Sequence, residues 1–147
     1  MMKKNTFSIA AIILICSTAV FSQSLDQVNW LNIKEAQNLT KSESKPIFIE
    51  FTADWCGWCK KMDRTTFMDE RVIKSLNQEF YPVKLDFDSK STFLFNGKKY
   101  TAKKLAREFG VQGLPTMAIL SKDLNSHTLI VGYQKGKQLK NKLTQEL

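Results

Sequence analysis

The run Ile47-Phe48-Ile49-Glu50-Phe51 is followed, after Thr52-Ala53-Asp54-Trp55, by two cysteines two residues apart, Cys56-Gly57-Trp58-Cys59. That juxtaposition constrains the chain more than any other feature. The run follows Pro46 and is β-branched and aromatic apart from one acid, as a strand covered on both faces is. The cysteine motif opens a stretch with helical character over residues 59–67. Cys56 is therefore expected at the mouth of a helix, where unpaired backbone N–H groups and the macrodipole favour a thiolate. Such seats bring a cysteine pKa from about 8.5 into roughly the 3.5–7.5 range. Cys59, one turn inward, is expected to be less exposed. A two-residue spacer lets its sulfur reach that of Cys56 without backbone movement, so the pair can alternate between dithiol and disulfide. Cys56 would attack a substrate disulfide and Cys59 would resolve the mixed disulfide; in reverse, the same steps oxidise a dithiol.

Two plainer readings compete. A structural disulfide closing so short a loop restrains little chain entropy and stabilises poorly. Zinc normally takes four ligands, whereas beyond the motif the chain offers the lone His127 and Cys16, so a metal would need a dimer. No metal and no organic cofactor is expected.

Cys16 belongs to another kind of segment. Residues 7–21 (FSIAAIILICSTAVF) carry no charge, follow Lys3 and Lys4, and precede Ser22-Gln23-Ser24. This is the outline of a secretory signal peptide, too short for a spanning helix of about 20 apolar residues. Residues 1–22 are read as a signal cleaved after Ser22, and residues 23–147 as one mature domain. Ile15 before Cys16 argues against lipidation, which wants a small residue there. Cleavage would leave both remaining cysteines in the motif and, with Lys3 and Lys4 gone, lower the net charge from +8 to +6. The expected location is periplasmic or secreted, with a membrane anchor as the competing reading. Nucleic acid is not an expected partner, because the lysines are spread over several stretches as solvated helix faces are.

No internal repeat or Pro/Gly/Ser-rich linker divides residues 23–147. A short edge strand is expected at 28–30, then a helix capped by Asn32 and Glu35 that carries Ile33, Ala36 and Leu39 to about residue 42. The strand at 47–51 and the helix at 59–67 follow, with Asp69 capping a second helix through Val72, Ile73 and Leu76. Residues 81–87 read as a strand. Residues 89–100 read as an insertion loop turning at Asn96-Gly97, with Phe93-Leu94-Phe95 packed beneath it. A helix from Thr101 stops at Gly110. Strands at 116–120 and 128–131 form a hairpin, and Leu139, Leu143 and Leu147 mark a closing amphipathic helix. The predicted class is α/β, a central mixed sheet with helices on both faces.

The blocks Phe51-Thr52-Ala53-Asp54-Trp55-Cys56-Gly57-Trp58-Cys59-Lys60, Val111-Gln112-Gly113-Leu114-Pro115-Thr116, and Val131-Gly132 with Lys135-Gly136-Lys137-Gln138-Leu139 resemble the active-site, cis-proline and closing blocks of the thioredoxin superfamily. The stretch from Lys60 through Asp69-Glu70-Arg71-Val72 is similar to thioredoxin-like domains of exported bacterial thiol:disulfide interchange proteins. Two departures stand out: Trp58 replaces the proline common in thioredoxins, and the 89–100 insertion is absent from the minimal fold. By alternation alone, Glu50 points either into a covered face or to solvent at an edge. The resemblance implies that it is the family's buried acid, usually Asp, with Lys84 on the neighbouring strand as its partner. If buried, Glu50 would have its pKa raised toward neutrality and could relay the proton of Cys59. It also implies a cis Leu114-Pro115 bond and a substrate groove bordered by Trp55, Gly57, Trp58, Leu114 and Pro115. His127 is expected merely at the surface.

These expectations describe a monomeric oxidoreductase acting on protein disulfides or dithiols, most readily as a reductant, with a membrane or periplasmic redox partner. A disulfide isomerase or oxidase, or a peptide-binding module without catalysis, are the alternatives.

Overall fold

Strand β1 (Ile47–Thr52) forms at the centre of a four-stranded sheet, as its bulky, nearly uncharged sequence requires. The computed structural model describes residues 26–43 and 45–147; the expected signal segment and Cys16 lie outside them. Helix α1 (Ile33–Glu43) precedes β1, and α2 (Gly57–Arg64), a 3-10 turn (Thr66–Met68) and α3 (Glu70–Glu79) lead to β2 (Tyr81–Asp86). A hairpin, β3 (Phe93–Phe95) and β4 (Lys98–Tyr100), precedes α4 (Ala102–Glu108). Strands β5 (Thr116–Leu120) and β6 (His127–Val131) and helix α5 (Gly136–Gln145) complete the chain. The sheet order is β2-β1-β5-β6, with β1 parallel to β2 and antiparallel to β5, and β5 antiparallel to β6.

Alternation along β1 assigns its side chains to two apolar layers. Ile47, Ile49 and Phe51 pack with Ile33 and Ala36 of α1 and Leu105 and Ala106 of α4. Phe48 packs on the other face with Met62 of α2, Ile73 and Leu76 of α3, and Leu139 and Leu143 of α5. The mixed sheet covered by helices on both faces is the predicted architecture.

Four local expectations are corrected. Residues 28–30 form no strand: contact with the sheet is a single bridge between Leu31 and Val83, with the Leu31 N–H donating to the Pro82 carbonyl at 2.8 Å. The cap of α1 begins at once, where Asn32 Oδ1 accepts from the Glu35 N–H at 2.9 Å, so the segment has no length left to pair. The helix expected over 59–67 breaks at Thr65, whose hydroxyl donates to the Lys61 carbonyl and whose N–H donates to the Met62 carbonyl, tightening the next turn to 3-10. The 89–100 insertion folds into a hairpin over residues 93–100. Its turn at Asn96-Gly97 adopts positive φ at both residues, 45° and 77°, while Phe95 and Tyr100 join the core. Gln37 of α1 clamps it, donating to the Leu94 carbonyl and accepting from the Asn96 N–H, both at 2.9 Å. Leu94 itself is exposed. Leu147 lies beyond α5 and is exposed too, so the buried stripe of that helix is Leu139 and Leu143.

A close approach holds α5 to α3. A Cβ added at Gly136 would meet Asp69 Oδ2 at 2.1 Å. Asp69 caps α3 by accepting from the Arg71 N–H at 3.0 Å and pairs with the Arg71 guanidinium at 2.6 Å. Gly136→Ala must displace this cap and is expected to cost at least about 1 kcal/mol, the usual worth of an N-cap, in urea unfolding of the oxidised protein. Unchanged stability would show that the Asp69 side chain moves aside without loss.

Candidate active site

After Thr52 the backbone turns, with the Cys56 N–H donating to the Ala53 carbonyl at 3.0 Å, and Cys56 becomes the N-cap of α2. Its Sγ accepts from the Cys59 N–H at 3.2 Å. One of the helix's free donors thus points at sulfur, the arrangement that favours negative charge there. The sulfurs of Cys56 and Cys59 are bonded at 2.06 Å, with Cα atoms 5.3 Å apart. Cys59 is fully buried and Cys56 is 4% exposed. The expected ranking holds, but both sulfurs are sheltered, because Ala53, Phe87 and Leu114 pack around them.

The Leu114–Pro115 peptide is cis. Pro115 is buried, and its carbonyl accepts from the Gly132 N–H at 2.9 Å. Trp55, Phe87 and Leu114, with residues 111–113, line a groove of about 220 Å³ beside the disulfide. Trp55 is 67% exposed, and its indole N–H donates to Asp88 Oδ2 at 2.6 Å. The expectation of one groove bordered by both tryptophans needs correction. Trp58, 56% exposed, lies outside that lining, with its ring 5.3 Å from the ring of Tyr133. The Lys61 ammonium sits over both rings, at 4.9 and 5.2 Å. Gly57 is the exposed first residue of α2 and does not line the groove either. His127 is exposed, as expected, and stacks on Phe109.

Beneath α2 the alternation of β1 resolves the ambiguity at Glu50, which is completely buried. Lys84 is its register partner on β2, with the ammonium 3.1 Å from Glu50 Oε2. This is an ion pair without a well-aligned hydrogen bond: neither Glu50 oxygen receives one among the described residues. The Lys84 hydrogen bond goes instead to Asp63 of α2. Burial pushes the Glu50 carboxyl up to about 7; Lys84 opposes the rise and the Asp63 charge adds to it. On its other side the Lys84 ammonium lies 4.7 Å from the Trp30 ring and 5.4 Å from that of Phe67. Sequence reasoning missed Asp63, although it follows Cys59 by four residues, which on a helix shares a face. Tyr133 gave no signal, since only folding brings its loop to Trp58.

A disulfide capping the helix that follows a central strand, with a cis-proline loop packed against it, defines a thioredoxin fold. The chain belongs to the thioredoxin-like domain family, which matches residues 33–146. It is 32% identical over 101 residues to the thiol:disulfide interchange protein DsbD of Campylobacter jejuni, a match covering 69% of this chain and 16% of that protein. Among solved structures it superposes on a DsbH oxidoreductase with TM-score 0.67 at 19% identity, covering 96% and 93% of the two chains. It also superposes on the oxidised C-terminal domain of DsbD from Neisseria meningitidis, with TM-score 0.60 at 20% identity, covering 78% and 91%. These structural likenesses are of fold. The chain thus spans about a sixth of the length of its DsbD relative.

The Glu50 environment predicts a pH dependence with a definite sign. An acid raised from 4.5 to about 7 on folding holds its proton longer in the native state. Its stabilising contribution is complete below pH 4.5 and is lost as pH rises through about 7. The loss is roughly 3 kcal/mol at 1.36 kcal/mol per pH unit. Unfolding free energies of the oxidised parent and of Glu50→Gln, compared from pH 4.5 to 8, are expected to differ by this slope. Parallel profiles would refute it.

Proposed function

We propose that this chain is an exported thiol:disulfide oxidoreductase that exchanges disulfides and dithiols in protein substrates through Cys56 and Cys59, working as a reductant. The observation that carries the reading is a sulfur pair bonded at the start of α2, with Leu114 of the cis-proline loop packed against it. Family membership supports the chemistry; export rests on the pattern of residues 1–22.

In the reducing direction Cys56, as thiolate, attacks one sulfur of a substrate disulfide, and the other substrate sulfur leaves as a thiolate. Glu50, titrating near neutrality, takes the proton of the Cys59 thiol. Cys59 then attacks Cys56 Sγ, the second substrate sulfur departs, and the Cys56–Cys59 disulfide forms. Two electrons have passed to the substrate, so the step needs no metal or organic cofactor. Lys84 holds the Glu50 site in charge balance. The Leu114 backbone, beside Cys56, offers an extended substrate segment a β-strand type contact, with Trp55 at its edge. Gly57 and Trp58, between the cysteines, and Pro115 complete the substrate-facing set in this reading. The protein works as a monomer, is recharged by a membrane or periplasmic redox partner, and does not bind nucleic acid.

Replacing Cys59 by Ser should trap substrates on Cys56 as mixed disulfides, read by mass spectrometry of envelope extracts. If nothing covalent accumulates, a peptide-binding module replaces the oxidoreductase. A midpoint potential toward the −270 mV end of the roughly −270 to −120 mV range supports reduction; one toward the other end supports an oxidase or isomerase. Glu50→Gln is expected to slow disulfide exchange by about a hundredfold, the lower end of what a placed acid–base group contributes. Unchanged turnover across pH 6–8 removes Glu50 from the mechanism.

A further inference from the structure

The surface on the Trp58 side of the disulfide is built differently from the Trp55 groove. Trp58, Lys61 and Thr65 follow one stripe of α2 and its end, and the stripe meets Tyr133 in the loop before α5. Lys61 lies over both aromatic rings, and the Tyr133 and Thr65 hydroxyls are 3.4 Å apart. The loop is fixed at both ends, by the Gly132 N–H to the Pro115 carbonyl and by the Thr66 hydroxyl to the Gln134 carbonyl. The shelf is therefore tied to the same proline loop that packs on Cys56.

Its charge is one-sided. Lys60, Lys61, Arg64 and Lys135 are all exposed, and none has an ion-pair partner among the described residues. Both Lys61 and Lys135 lie near enough to Tyr133 to pull its hydroxyl below the usual phenol range, behind the larger effect of the Thr65 hydrogen bond. The neighbouring acids are already engaged: Asp63 is turned to Lys84 and Asp69 to Arg71. Beyond the disulfide, the Trp55 side carries exposed Asp54, Asp86 and Asp88, offset there by Lys103 over Phe87. A segment laid across Cys56 thus meets unpaired cations on one flank and mixed charges on the other.

We propose that the Trp58–Tyr133–Lys61 shelf, with Arg64 and Lys135 beside it, receives a carboxylate-bearing flank of the reacting polypeptide. The preferred substrates then carry Asp or Glu beside the cysteine that reacts at Cys56. This rests on the oxidoreductase reading and names its substrate class. The occupant is a polypeptide because Trp58 of the shelf stands between the two cysteines, so a chain that bears the partner sulfur extends readily over it. Unneutralised cations at the rim of a site raise the encounter rate of anionic partners, and salt removes the advantage.

The test uses two synthetic disulfide-bonded peptides identical except for Asp or Lys flanking the reactive cysteine. Each rate constant with the reduced protein is divided by that with dithiothreitol, which removes the intrinsic effect of charge on the disulfide. The acidic peptide is expected to react about tenfold faster at low ionic strength, with the ratio falling toward one at about 0.5 M salt, where screening is within a few ångströms. In the K61E/R64E double variant the preference is expected to vanish or invert. Because the readout is a ratio, a general loss of activity in the variant does not imitate the result. A ratio near one in the parent, or one unchanged in the variant, overturns the proposal while leaving the oxidoreductase intact. Failure of both peptides and of uncharged hydroxyethyl disulfide to react overturns the oxidoreductase reading itself.

Discussion

Strand β1 is hydrogen-bonded along both edges, to β2 on one side and β5 on the other, and the rest of the site follows from that enclosure. A strand with no free edge and a helix layer over each face must be apolar nearly throughout. When the chain leaves it after Thr52, the backbone donors turn inward, and Cys56 caps α2. The reactive pair thus follows closely on a strand held along both edges, where a sulfur position can be held with little movement.

The same enclosure makes Glu50 an exception with consequences. A carboxyl group in that layer loses its hydration, and a single ammonium 3.1 Å away without an aligned hydrogen bond only partly replaces it. The proton is therefore held more firmly than on a surface acid. Lys84 is itself divided between Glu50 and Asp63 and is covered by the Trp30 and Phe67 rings. The short segment before α1 thereby reaches the active-site layer while joining the sheet by a single bridge at Leu31.

Above the sulfurs, by contrast, the electrostatics are those of exposed groups. The Trp55 groove and the Trp58 shelf lie on separate sides of the pair and differ in both shape and charge. A residue between the two cysteines that packs, tilted, against a tyrosine remote in sequence links the redox motif to the loop before α5.

Much of this was legible in the chain itself, for local reasons. The apolar run of β1, the Asn32 and Asp69 caps, the Asn96-Gly97 turn and the two-residue cysteine spacing each act through neighbours a few residues apart, so their identities were enough to place them. The pairing of Glu50 with Lys84 and the cis bond before Pro115 were accessible only through resemblance. Alternation along a strand says which residues share a face but not what covers it. Three features required the tertiary structure: Asp63 as the third charge at Lys84, the hairpin over residues 93–100, and the divergence of Trp58 from Trp55. Each depends on contacts between elements remote in sequence, where packing rather than local propensity chooses the neighbour.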